Sequence, residues 1–125
     1  MDKSTFGWTH GESWVEWELA DIWKAAEGIP PTRCEIDPLL DWVKQYVSTF
    51  DDDDEHRIRS ANLKFPPIVS ADGRFVIDGG HRLVKLKRMG RSQADVIVLP
   101  HMPTPSKVHG APFTIVGLPF EWKEK

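Results

Sequence analysis

The sequence predicts a mixed α/β domain of the α+β type, with a small mixed sheet and flanking helices. Three observations carry that expectation. Short β-prone runs at Ile68-Val69, Phe75–Ile77 and Ala94–Leu99 alternate with helical stretches. Two of those stretches are well marked: one from Asp37 with apolar residues on a single face, and His81–Met89, which holds good helix formers and no breaker. Between them the chain passes from Ile77 to His81 through the abrupt turn Asp78-Gly79-Gly80. A chain of 125 residues, 40% apolar and 28% charged, is long enough for one hydrophobic core and ordinary in composition for a single globular domain.

Residues 1–13 are polar and contain Gly7 and Gly11, which predicts a loosely ordered N-terminal arm. From Trp14 the pattern alternates, with Val15, Trp17 and Leu19 on one face, and a strand is expected. Ala20–Glu27 reads as a short helix closed by Gly28, before Ile29-Pro30-Pro31 breaks the chain. Asp37-Pro38 suits a helix start, with Asp37 as N-cap and Pro38 at the first helical position. The apolar stripe Leu39, Leu40, Val43, Tyr46, Val47 and Phe50 carries that helix to about Phe50. The acidic run Asp51–Glu55 lacks calcium-loop spacing and is expected to be a solvated loop, the alternative being a divalent ion held between this loop and a bound phosphate.

His56–Leu63 reads as a short helical or irregular link, and Ile68-Val69 as a strand. Ser70-Ala71-Asp72-Gly73 then forms a hairpin turn into Phe75–Ile77, because Asp-Gly between two β-prone runs favours tight reversal. In the following helix Leu83, Leu86 and Met89 share a side that packs on the sheet, and Gly90 closes it. Ala94–Leu99 is a buried strand ended by Pro100. Residues 101–112, rich in proline, read as loop, Phe113–Val116 as a last strand and Leu118–Trp122 as a packed tail. The domain is therefore placed at 14–100, with 101–125 as a C-terminal extension packed on it.

Charge and cysteine content narrow the function classes. The net charge of −3 is unevenly spread: residues 1–60 hold 6 basic and 14 acidic side chains, and residues 61–125 hold 10 basic and 5 acidic. The basic half contains the glycine turn, which suits an anionic ligand. A pI near 5.9 argues against a protein that coats DNA. Cys34 is the single cysteine, so an internal disulfide is excluded and a reducing, cytoplasmic setting is expected. The polar start and the lack of a long apolar run predict neither a secretory leader nor a membrane span. His101 and His109 lack metal-ligand spacing, and no protein-held metal site is expected.

The chemistry-bearing stretch is Asp78-Gly79-Gly80-His81-Arg82. A glycine pair that opens a helix leaves backbone N–H groups without intrahelical partners and clears side chains from a ligand's path. The positive pole of the helix dipole lies at the same end. Arg82 can grip an oxyanion through two parallel bonds, and His81 adds a donor. Plain turn chemistry is the alternative, with Asp78 capping the helix and His81 satisfying a carbonyl. Lys85, Lys87, Arg88 and Arg91 continue as a basic stripe, either an exposed helix face or a contact for nucleic-acid phosphates.

The strand at Trp14–Leu19, the helix from Asp37 and the stretch PPIVSADGRFVIDGGHRLVKLKRMGRSQADVIVLP together resemble the ParB/sulfiredoxin superfamily. The likeness covers residues 14–100 and is sharpest at 66–99. It implies a ParB/sulfiredoxin-like fold in which a nucleotide phosphate sits at the glycine turn. Gly79, His81 and Arg82 match the sulfiredoxin-like turn and would contact phosphate, with Gly80 beside them. Gly80 stands where sulfiredoxin has its catalytic cysteine, so sulfinic-acid repair is not expected. From these 125 residues the DNA-binding and dimerisation domains of a full partition protein are not expected.

Three function classes follow. The first is a nucleotide-binding enzyme, a phosphotransferase or NTPase using ATP or CTP with Mg²⁺, in which Asp78 and His81 are the catalytic candidates and Gly79, Gly80, His81 and Arg82 bind phosphate. The second is a DNA-binding or nuclease-like module acting through Lys85, Lys87, Arg88 and Arg91. The third is a non-catalytic module, of the kind familiar from phages and plasmids, that docks a protein partner through its tryptophan-rich N-terminal half.

Overall fold

The computed structural model describes residues 5–46, 51–71, 73 and 75–110. Among them the elements run β1 (Thr5–His10), β2 (Ser13–Glu18), α1 (Leu19–Ala26), β3 (Thr32–Glu35), α2 (Ile36–Tyr46), α3 (Asp52–Ser60), β4 (Ile68–Val69), β5 (Val76–Asp78), α4 (Gly80–Arg88), β6 (Gln93–Val98) and β7 (Lys107–His109). The strands form two sheets, one ordered β1-β2-β7 and the other β3-β6-β4-β5. The first is antiparallel. The second is mixed, with β4 and β6 parallel and the other pairs antiparallel.

Strand periodicity explains the layering. Successive side chains of a strand point to opposite faces, so each central strand feeds two cores. Val69, Val76, Ala94 and Val96 join Ile36, Leu39, Leu40, Ile58, Leu83 and Val84 on the face covered by α2, α3 and α4. Ile68, Ile77 and Leu99 join Val15, Trp17, Ile22, Ala26 and Met102 on the other face, under α1 and the three-stranded sheet. The four-stranded sheet is thus the middle layer. Trp17 is fully buried, and its indole N–H donates to the Pro103 carbonyl at 2.7 Å, which pins the segment after β6 across β2.

The strand expected from Trp14, the helix at Ala20–Glu27, the antiparallel pairing of Ile68-Val69 with the strand that follows and the buried strand near Ala94–Leu99 are all present within a residue or two. Several expectations are corrected. The N-terminal arm contains β1, which pairs with β2 from Thr5↔Glu18 to His10↔Ser13 around a turn at Gly11. A single sheet becomes two, because β2 pairs with β1 and β7 rather than with the strands that carry the glycine turn. The loop at 101–112 includes β7, whose Val108 pairs with Val15.

The acidic loop is instead the first turn of α3. Asp51 is its N-cap and accepts from the Asp54 N–H at 2.8 Å, while the Asp54 side chain accepts from the Asp51 N–H at 3.2 Å. Four acidic residues in that turn face the positive pole of the helix dipole, which favours them there. Helix α2 begins one residue before the expected cap, at Ile36, and Asp37 lies in its first turn. On α4 Leu83 and Leu86 pack inward as expected, with Val84 buried beside them, whereas Met89, just past the helix, is 55% exposed. Residues 47–50, 113–116 and 118–122 lie outside the described residues.

Candidate functional site

The site is built where β5 ends and α4 begins. Gly79 is the N-cap of α4 with φ of 101° in the left-handed region, and no side chain caps this end. A Cβ on Gly79 would lie 2.9 Å from both Cα and Cβ of Pro67. Glycine is therefore required twice over, by the dihedral and by the close approach. The first intrahelical bond runs from the Leu83 N–H to the Gly79 carbonyl at 3.1 Å. The N–H groups of Gly80, His81 and Arg82 precede it and have no intrahelical acceptor. No acidic residue lies in the first turn of α4. The start of α3 is saturated by its own carboxylates, whereas that of α4 is open.

Arg82 is held firmly. Its terminal nitrogens donate to the carbonyls of Phe65 at 2.7 Å and Pro66 at 3.2 Å and to Asp78 Oδ2 at 3.0 Å. These bonds occupy three of the five guanidinium N–H donors. The same Asp78 oxygen accepts the Trp23 indole N–H at 2.7 Å. Asp78 therefore does not cap α4 through its side chain. It ties α1 to Arg82. The expected two-bond grip of Arg82 on an oxyanion competes with this ion pair.

His81 meets Asp54 of α3, with Nε2 3.0 Å from Asp54 Oδ1. The His81 hydrogen bond, and then the backbone N–H of Asp51, hold the Asp54 carboxyl below its ordinary range. Two cavities adjoin this arrangement. One, of about 590 Å³, is lined by Asp54, Arg57, Gly79, Gly80, His81 and Arg82, with Thr5 of β1 and Trp42 of α2 in its wall. The other, of about 770 Å³, is more apolar and lies beside Trp23, Ile29, Phe65, Ile68 and Ile97. Trp23, Asp78 and Arg82 line both. A Cβ on Gly80 would meet only Val43, at 3.7 Å.

The structure brings Asp78, Gly79, Gly80, His81 and Arg82 to one cavity, and it disperses the basic stripe. Lys85 donates to the carbonyls of Arg59 at 2.7 Å and Ala61 at 3.0 Å, at the C-terminal end of α3. Lys87 pairs with Asp37 at 2.7 Å, and Arg88 grips Glu55 through two bonds of 2.6 and 2.8 Å. That grip lowers the Glu55 carboxyl from its usual range and raises Arg88. These three cations strap α4 to α2 and α3. Arg91 is exposed. Cys34 lies on β3, partly buried, and burial pushes its thiol up.

The sequence does not mark Arg57 or Trp23 as parts of the site, and it brings Asp54 near the phosphate only within an acidic run that could hold a divalent ion, not as the partner of His81. One signal was available for Asp54: an acidic pair three residues apart, Asp51 and Asp54, ahead of a helical stretch is capping-box spacing. Nothing local marks Trp23, whose partner is 55 residues away.

Comparison with known protein families, curated proteins and solved structures finds no match to this chain. The protein has a small mixed α/β fold with, among the described residues, four helices and two sheets of three and four strands. No helix among the described residues is long and apolar enough to cross a membrane. Nor do three or more His, Cys, Asp or Glu side chains gather there as a metal site.

Proposed function

We propose that this protein binds a phosphate-bearing ligand, with a nucleotide as the first candidate, at the start of α4. The observation that carries the reading is the uncapped N-terminus behind Gly79, whose first N–H groups adjoin a cavity also lined by Arg57, His81 and Arg82. The order of motifs that resembles the ParB/sulfiredoxin superfamily supports a nucleotide. Mg²⁺ would arrive with the phosphates rather than in a protein cage, because the cavity's carboxylates are already bonded, Asp54 to His81 and Asp78 to Arg82 and Trp23.

A nucleic-acid role draws less support, since Lys85, Lys87 and Arg88 are engaged within the chain. Docking of a protein partner has one observation in its favour: Trp23 and Phe65, 51% and 63% exposed, line the apolar cavity.

Thermal unfolding with ATP, CTP, GTP and inorganic phosphate, each with and without Mg²⁺, tests the proposal. A ligand at about 100 times its Kd adds about 2.7 kcal/mol to stability. The stabilisation should be lost in Arg82→Ala, each variant being compared with its own ligand-free state. No stabilisation of the folded wild type by any of these ligands would refute the reading.

A further inference from the structure

We propose that Asp54 and His81 form a proton-transfer pair, in which His81 Nδ1 takes the proton of a water attacking a phosphate held at the start of α4. The step rests on the phosphate reading above. Asp54 is immobilised from two sides: Oδ2 accepts the Asp51 N–H inside the α3 cap, and Oδ1 lies 3.0 Å from His81 Nε2. An ionised carboxylate only accepts hydrogen bonds, so the neutral imidazole must carry its hydrogen on Nε2. Nδ1 then holds the lone pair, and no protein group among the described residues bonds to it. The His81 side chain is 36% exposed, so water reaches the ring.

The other ionisable groups lining the cavity are Arg57 from α3, Asp78 at the end of β5 and Arg82 from α4. Asp78 is neutralised by its pair with Arg82. Asp54 is thus the carboxylate in contact with the imidazole, and it stabilises the imidazolium formed as the proton arrives.

In the step, the water oxygen bonds to phosphorus while the bond from phosphorus to the leaving oxygen breaks. The leaving group departs as the nucleoside diphosphate anion and needs no proton, and the attacked phosphorus leaves as inorganic phosphate. The proton of the attacking water moves to Nδ1 and is then lost to solvent. His81 is the catalytic base. Asp54 is a positioning residue that sets the tautomer.

Two measurements test this. The first is the ¹⁵N spectrum of the His81 ring. Wild type should show the Nε2-protonated tautomer, and Asp54→Asn, which keeps an oxygen for the α3 cap, should shift the population toward Nδ1–H. A wild-type ring protonated on Nδ1 overturns the proposal.

The second is release of inorganic phosphate from ATP and CTP with Mg²⁺ across pH. The rate should rise with pH, as a base that acts in its unprotonated form requires. His81→Gln should lower kcat about 100-fold, and Asp54→Asn should lower kcat with KM unchanged. Unchanged release in His81→Gln overturns the step. Nucleotide binding that depends on Arg82, without release at any pH, overturns the step and leaves the binding reading intact. Absence of any such binding removes both.

Discussion

Adjacent glycines at the helix start should respond oppositely to alanine. At Gly79 the backbone sits at φ 101°, and an added Cβ would stand 2.9 Å from Cα and Cβ of Pro67. The left-handed conformation costs an alanine about 1–2 kcal/mol. Relief of the overlap requires backbone movement, because Pro67 is buried and its carbonyl accepts the Ile97 N–H at 2.8 Å. Forced overpacking of this kind costs about 1–3 kcal/mol. Gly79→Ala should therefore destabilise the fold by about 2–5 kcal/mol. Gly80 is helical, and its added Cβ would meet Val43 at 3.7 Å, an ordinary contact. Gly80→Ala should be neutral or stabilising by up to about 1 kcal/mol. Urea unfolding of the two variants gives the comparison directly, with the Gly79→Ala midpoint lower by about 1 M or more. Equal midpoints would refute the claim that this turn is built around one obligatory glycine.

Trp17→Phe keeps most of the buried ring but leaves the Pro103 carbonyl without its 2.7 Å donor, so a loss of about 1–3 kcal/mol is expected in denaturant unfolding. Acid should weaken the contacts between α3 and α4. Asp54 and Glu55 titrate below their ordinary values of 3.8 and 4.5 in the folded chain, so their stabilisation is complete above those values and is lost as pH falls through the lower folded ones. The melting temperature should drop below about pH 4, and Asp54→Asn with Glu55→Gln should flatten that slope. A slope unchanged in the double variant would assign acid sensitivity elsewhere.

Local pattern determined much of this protein. The alternation from Trp14, the apolar stripe after Asp37, the Asp72-Gly73 reversal and the apolar run near Ala94–Leu99 each encode an element through neighbours a few residues apart. The Asp78–Arg82 turn was legible for the same reason, since Gly-Gly at a strand end is a local signal. Partners distant in sequence were decided only by the tertiary structure. Trp23 reaches Asp78 across 55 residues, and His81 reaches Asp54 across 27. The basic stripe looked free because Glu55, Asp37 and the α3 carbonyls that hold it come from helices whose packing no periodicity reveals. The sheet division had the same cause. Alternation marks a strand and its buried face, but which strand it pairs with depends on how the chain folds back, and Val15 finds Val108 only once β7 has crossed the molecule.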